Sequence, residues 1–297
     1  MKRSLFASAL VSGLVGLSFV AAPAPAGGKE YKVVEVAGGV TVRGGVTIAL
    51  SAEEKDKFAL PKVMHGKDND KGCGEKEQDS ERLVFDKETL GVGNAVVYLK
   101  DVTSGKEWPE AMKSEDRVAA IDQKGCKYVP HVLLARTSTQ MVVLNSDAAD
   151  HNIHGFKTPA EKNSLQSTKF NFTSAPNSKN EDTADAFLED AGLYLVKCDV
   201  HPWMNAYVLT VEHPYYTVTS ATADGGKKPG EFVLENVPPG SYTLVVWKEG
   251  MHEVPVEADG KISAYNYSEN IVKELPITVE AGKECVVTEV KIELQKK

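Results

Sequence analysis

The chain has 297 residues, a formal net charge of −8, 42% hydrophobic residues and 26% charged residues. That balance excludes wholesale disorder, collagen-like repeats and a coiled coil, and the acidic charge argues against a nucleic-acid backbone as the main partner. Four cysteines in this length exclude a disulfide scaffold, and the length itself suggests about two domains.

The chain opens with Lys2 and Arg3, continues with an uncharged apolar run from Leu5 to Ala22, and reaches Ala24-Pro25-Ala26. A basic start, an apolar core and a small-x-small site form an export signal over residues 1–26, with cleavage expected after Ala26. The run sits at the lower length limit for a membrane span, so a retained anchor is the alternative. No cysteine precedes Cys73, which excludes a lipid-modified cysteine at the cleavage site. The expected mature protein is exported, in an oxidising compartment such as a bacterial periplasm, with no membrane span after the leader.

From Glu30 onward the apolar pattern has mostly a period of two. Tyr31–Val36, Val40–Leu50, Leu83–Phe85, Ala95–Lys100, Val118–Ile121, His131–Ala135 and Gln140–Asn145 read as strands. So do Leu193–Lys197, Ala206–Glu212, Tyr215–Thr219, Glu231–Glu235, Tyr242–Trp247, Ile271–Val279 and Cys285–Leu294. They are rich in β-branched residues and bounded by Gly, Pro, Asn and Asp. Ala52–Phe58 and Pro159–Leu165 read as short helical pieces. The polar stretches His65–Arg82 and Asn171–Asp190 read as surface loops. The class is all-β, with sandwiches as the natural architecture. A composition change at His213-Pro214 marks a boundary, so the expected parts are 27–114, 115–212 and 213–297.

Chemistry concentrates in Cys198-Asp-Val-His201-Pro-Trp-Met204, a short loop between two apolar strands. A thiol, an imidazole and a thioether lie within seven residues. Upstream, Asp150-His151-Asn152-Ile153-His154 follows another strand and supplies a second imidazole. Two His and one Cys in a plane with a weak axial Met is the set that holds mononuclear blue copper. Zinc sites rarely use a thioether, and a binuclear copper site would want a second Cys in the loop. Residues i and i+3 of one strand point to opposite faces, so only one of His151 and His154 should reach a metal.

The Cys198-x-x-His201-Pro-Trp-Met204 loop resembles the ligand loop of the plastocyanin/azurin (cupredoxin) family in its short, amicyanin-type spacing. His151-Asn152-Ile153-His154 resembles the segment that carries the family's first histidine ligand, and Lys127-Tyr128-Val129-Pro130 resembles the family as well. The likeness covers about Glu115–Glu212. It implies a Greek-key β-sandwich with one type 1 copper, His151, Cys198 and His201 as equatorial ligands, Met204 as axial ligand, and Asn152 bonding across to the Cys loop. It further implies outer-sphere electron transfer, not enzyme turnover, through an exposed edge of His201 inside a Pro202/Trp203 collar, to a redox protein such as a c-type cytochrome or a dehydrogenase. Two departures stand out: Asp150 replaces the usual Pro before the first His, and the segment between His151 and Cys198 is longer. The acidic residues of that longer segment (Glu181, Asp182, Asp185, Glu189, Asp190) would steer a basic partner or form a solvated face. Copper storage, and surface interaction with a structural copper, are the alternative functions.

Three features lie outside that likeness. Gly230–Trp247, with Pro238-Pro239-Gly240 as its turn, resembles the central hairpin of carboxypeptidase-regulatory-like (transthyretin-like) sandwiches. Gly38–Leu50 and Asn94–Leu99 resemble the opening strands of the same type, so one sandwich carrying the copper domain as an insertion is one expectation and three consecutive segments the other. Cys73 and Cys126, each after a Gly in a loop, are the expected disulfide; a second metal site there is the alternative, without a ligand cluster beside them in sequence. Cys285 would be the odd thiol, and His65, His131, His213 and His252 read as histidines satisfied by their surroundings.

Overall fold

A computed structural model describes residues 31–64, 73–74, 77–112, 118–163, 165, 167–180 and 187–295. The leader, His65 and the acidic residues Glu181, Asp182 and Asp185 lie outside the described residues. The described chain is all-β, with one short helix at Ala52–Lys57 and a 3-10 turn at Glu110–Met112. The helix starts where the sequence places a capping box: Ser51 accepts from Glu54 N, and the Glu54 side chain accepts from Ser51 N.

The central module is a two-sheet sandwich. One sheet orders Ser178–Asn180, Thr139–Asn145, Val118–Gln123 and Tyr128–Val129, with Phe187–Leu188 also on Thr139–Asn145; the other orders Ser167–Ser174, His151–Thr158, Gly192–Lys197, Asn205–Val211 and Val132–Arg136. Thr139–Asn145 shows the expected alternation: Met141 and Val143 point inward while Gln140 is exposed. Ile121, Met141, Val143, Ile153, Tyr194, Val196 and Val208 fill the space between the sheets.

The flanks form a second sandwich from both ends of the chain. Val40–Ala49 pairs antiparallel with Glu231–Val237 and parallel with Val290–Glu293. Val96–Leu99 pairs with Gly240–Lys248 and Tyr216–Val218. The central module therefore leaves this sandwich after Leu99 and returns to it at Tyr216. The period-two strands pack Val42, Val46, Val97, Phe232, Leu244, Val246 and Ile292 into one core.

The two sandwiches share an interface. Gly192–Lys197 is buried at five consecutive positions because both of its faces are covered. Tyr194 and Val196 face the central core, while Leu193 and Leu195 join Tyr207, Val96 and Trp247 in a cluster between the modules. The Tyr207 and Trp247 rings meet at 5.1 Å. Beside them lies a wholly buried charged cluster that sequence reading missed. Arg82 Nη1 donates to Gly250 O and Nη2 donates to Asn205 Oδ1, while Nε pairs with Glu253 Oε2 at 3.2 Å. Lys248 Nζ donates to Arg82 O and pairs with Glu249 Oε1 at 3.0 Å. His131 Nε2 lies 2.6 Å from the same Glu249 oxygen.

Several expected elements differ, among them the loop His65–Arg82, inside which Glu77–Asp79 pairs as a strand with Lys62–Met64. Pro159–Leu165 is not helical: the Ala160 carbonyl accepts from Trp247 Nε1 and Asn270 Nδ2 instead of from its own segment. Asn171–Asp190 is not all loop, because Ser167–Ser174 pairs with His151–Thr158 and turns Phe170 into the core. Leu83–Phe85 bends, with only Phe85 bridging to Val92.

Candidate metal centre

Gly192–Lys197 and Asn205–Val211 are antiparallel neighbours, and Lys197–Asn205 is their last pair. Residues 198–204 are therefore a tight crossing at one end of the sheet. Met204 N donates to His201 O at 2.9 Å, and Cys198 N donates to Met204 O at 3.3 Å, which closes the loop on itself. On the other side of Gly192–Lys197, His154 pairs with Lys197. That register carries His151, three residues earlier on its strand, past the sheet end and over the loop.

His201 Nδ1 lies near two other donors there. His151 Nδ1 and His201 Nδ1 are 2.8 Å apart, and Cys198 Sγ lies 3.7 Å from His201 Nδ1. The sulfur accepts from His201 N at 3.3 Å and from Asn152 N at 3.4 Å. Met204 packs in the same core cluster as Cys198 and Trp203. His151, Cys198, His201 and Met204 are each no more than 2% exposed. An ion held about 2.0 Å from nitrogen and about 2.3 Å from thiolate sulfur spans gaps of up to about 4 Å, and both measured separations fall inside that range. Burial raises the Cys198 thiol pKa, and the backbone N–H groups of Asn152, His201 and Val200 oppose it. Two imidazoles, a buried thiol and a thioether fit copper by donor softness.

Two side chains hold the donors. Asn152 Nδ2 donates to Asp199 Oδ2 at 3.0 Å, and Asp199 N donates back to Asn152 Oδ1, so strand and loop are stitched together. Asp147, which sequence reading missed, binds His151 Nε2 at 3.0 Å and accepts from Gly125 N and Cys126 N at 2.7 and 2.8 Å. A carboxylate on the outer ring nitrogen fixes the tautomer and leaves Nδ1 for a metal. The available signal was an acid four residues before His151 in the same turn.

Cys73 and Cys126 form a disulfide. Cys73 Sγ and one ring nitrogen each of His151 and His201 all lie within 4.8 Å of one another, as do Cys126 Sγ, a carboxylate oxygen of Asp147 and a ring nitrogen of His151. The bridge thus packs against the histidine side of the centre. It also explains a correction. The expected exposed collar is absent at Trp203, which is 7% exposed, and the His201 edge is only 2% exposed. Trp203 Nε1 donates to Cys126 O at 3.2 Å and its ring lies 4.9 Å from the His201 ring, so the indole is drawn inward by the disulfide turn. Pro202 is half-buried, and Val200 is the exposed apolar residue of the loop at 58%.

The remaining candidates lie elsewhere. His154 turns to Asp199 at 2.9 Å and Thr168 at 2.8 Å and stacks on Phe156. His131 belongs to the inter-module charged cluster. His252 Nε2 bonds to Gln295 O, and His213 is buried beside Tyr215. Cys285 is a half-buried free thiol near Thr278 O. Glu189 and Asp190 are exposed, and Asp190 pairs with Lys169 at 3.2 Å.

No family model matches the chain and no curated protein matches it. Among solved structures it is similar to amicyanin from Paracoccus versutus, at 16% identity over 39% of this chain and 97% of that one, with a TM-score of 0.25. A purple cupredoxin from Nitrosopumilus maritimus matches at 20% identity over 31% of this chain and 99% of that one, with a TM-score of 0.25. The Cu-containing nitrite reductase from Thermus scotoductus SA-01 matches at 15% identity and a TM-score of 0.26 over 32% of this chain; the match spans 22% of the reductase chain. No helix among the described residues is long and apolar enough to cross a membrane.

Proposed function

We propose that the chain is an exported blue copper electron carrier, with His151, Cys198 and His201 as equatorial ligands and Met204 as the weak axial one. The observation that carries this reading is that buried His201 Nδ1 lies 2.8 Å from His151 Nδ1 and 3.7 Å from Cys198 Sγ, so one ring nitrogen meets both other donors. Copper, when bound, supplies a one-electron couple. The protein's part is to hold the donors still. Asp147 orients His151, the N–H groups of Asn152 and His201 fix the sulfur, and the Asn152–Asp199 pair locks the two segments together. Hydrogen bonds of this kind to the ligands keep them in place through a change of charge.

Carrier duty fits the enclosure better than turnover. His151, Cys198, His201 and Met204 are each no more than 2% exposed, so the described residues leave the donors little contact with solvent. The partner is a redox protein, such as a c-type cytochrome or a dehydrogenase, that docks over the exposed Val200 and the neighbouring Pro202. The discontinuous second sandwich, whose hairpin is similar to carboxypeptidase-regulatory-like domains, acts as a rigid support. The test is to load the protein with copper and record its visible and paramagnetic resonance spectra. An intense thiolate-to-copper band with small hyperfine splitting is expected. Cys198→Ser removes it, and Met204→Leu keeps the colour while changing the reduction potential. A Cys198→Ser protein that stays blue overturns the reading.

A further inference from the structure

The Cys73–Cys126 bridge is placed unlike an ordinary structural disulfide. Cys73 Sγ shares a 4.8 Å neighbourhood with ring nitrogens of both proposed copper ligands, His151 and His201. Cys126 Sγ does not share that neighbourhood; its own group is Asp147 and His151. The other half of the bridge is tied to the centre as well. Cys126 N and His151 Nε2 bond the same Asp147 oxygen, at 2.8 and 3.0 Å. Cys126 adopts a left-handed backbone, φ 59°, which is costly for a residue with a side chain.

Access is provided by glycine. Gly74 follows Cys73 and Gly125 precedes Cys126; both have positive φ, and a Cβ built on either would meet nothing within 4 Å. Cys73 and Cys126 are buried, at 5% and 1% exposure, yet among the described residues no side chain covers the glycine beside either one. A disulfide sulfur is neutral and a poor ligand, whereas a thiolate is a strong one for Cu(I).

We infer that this disulfide is a reducible cover on the metal centre, and that its reduction turns Cys73 into an additional thiolate ligand for the ion held by His151 and His201. The inference rests on the copper reading above. The reductant is a dithiol: it transfers two electrons and two protons to the bridge, becomes a disulfide itself, and leaves two thiols. Cys73 then loses its proton to solvent on binding the ion, while Cys126 remains a thiol beside Asp147. The centre passes from one thiolate to two, a set that favours Cu(I) retention over electron shuttling.

The test uses the full chain loaded anaerobically with Cu(I) and X-ray absorption to count short copper–sulfur bonds. The oxidised protein shows one. Treatment with dithiothreitol raises the count to two, and so does Cys126→Ala without reductant, because it frees Cys73. Cys73→Ala, which frees Cys126, stays at one. A count of one in both the reduced wild type and Cys126→Ala overturns the inference. Alkylation of the dithiothreitol-reduced, copper-loaded wild type gives an independent answer should a variant fail to fold. Cys73 is protected and Cys126 is labelled; equal labelling, or protection of Cys126 instead, also overturns it. Failure of the copper reading is distinguishable: the oxidised wild type would then lack even the single short sulfur that Cys198→Ser removes.

Discussion

Arg82, Lys248 and Glu249, between the sandwiches, are wholly buried, and each turns its charge onto another member of the cluster or onto a carbonyl. His151, Cys198 and His201, at the end of the central sandwich, are equally buried, and His201 Nδ1 meets both a ring nitrogen of His151 and the Cys198 sulfur. The first cluster sets opposite charges against one another, with Glu253 Oε1 left without a hydrogen-bond partner among the described residues; the second gathers nitrogen and sulfur donors. Burial of polar atoms is costly in both places, so what distinguishes the two is the kind of group each brings together.

The largest expected effect tests the first cluster, the joint between the sandwiches. Burial alone would raise the Glu249 pKa, yet His131 and Lys248 hold it at about 2. Arg82→Met strips a positive partner from Glu249 and Glu253 and should destabilise the protein by about 3–5 kcal/mol in chemical denaturation, with the copper spectrum retained in the folded fraction. A stable variant with an altered spectrum would mean that the two regions act as one unit through Asn205, which accepts from Arg82 and follows Met204 directly.

A second effect follows from His213, on the return path to the flank sandwich. Burial lowers its pKa from 6.5 to about 4. The unfolded chain takes up a proton at higher pH than the folded one. The neutral folded form is therefore fully favoured above about pH 6.5, and that stability is lost as pH falls toward about 4. The loss is about 3 kcal/mol, measured as the difference between pH–stability curves of wild type and His213→Phe. Parallel curves would remove His213 from the account.

The smallest effect sharpens the metal side. Asp147→Asn keeps the shape of the turn but removes the carboxylate from His151 Nε2. It should weaken copper binding by about 10–100-fold in competition with a chelator and leave the joint's stability unchanged. Unchanged affinity would show that the Cys126 turn, not its acid, positions His151.

Much of this architecture is legible along the chain because its causes are local. Period-two patterning marks most of the strands, and Cys198, His201 and Met204 lie in one loop whose donor types name the chemistry. The two flanks are far apart in the chain, yet strand pairing between Val40–Ala49 and the C-terminal strands joins them. Arg82, Lys248 and Glu249 carry no such mark: in sequence they are ordinary charges, and only the meeting of segments about 170 residues apart makes them a buried set. Trp203 was readable as an aromatic beside a ligand but not as a buried one, since the carbonyl that captures its N–H belongs to Cys126. The sequence by itself determined the class of fold and which donor types share one loop, because backbone periodicity and side-chain type are properties of short segments. The tertiary structure alone decided what shields the histidine pair and that the expected disulfide lies against it, because those depend on strand register and on distant turns packing together.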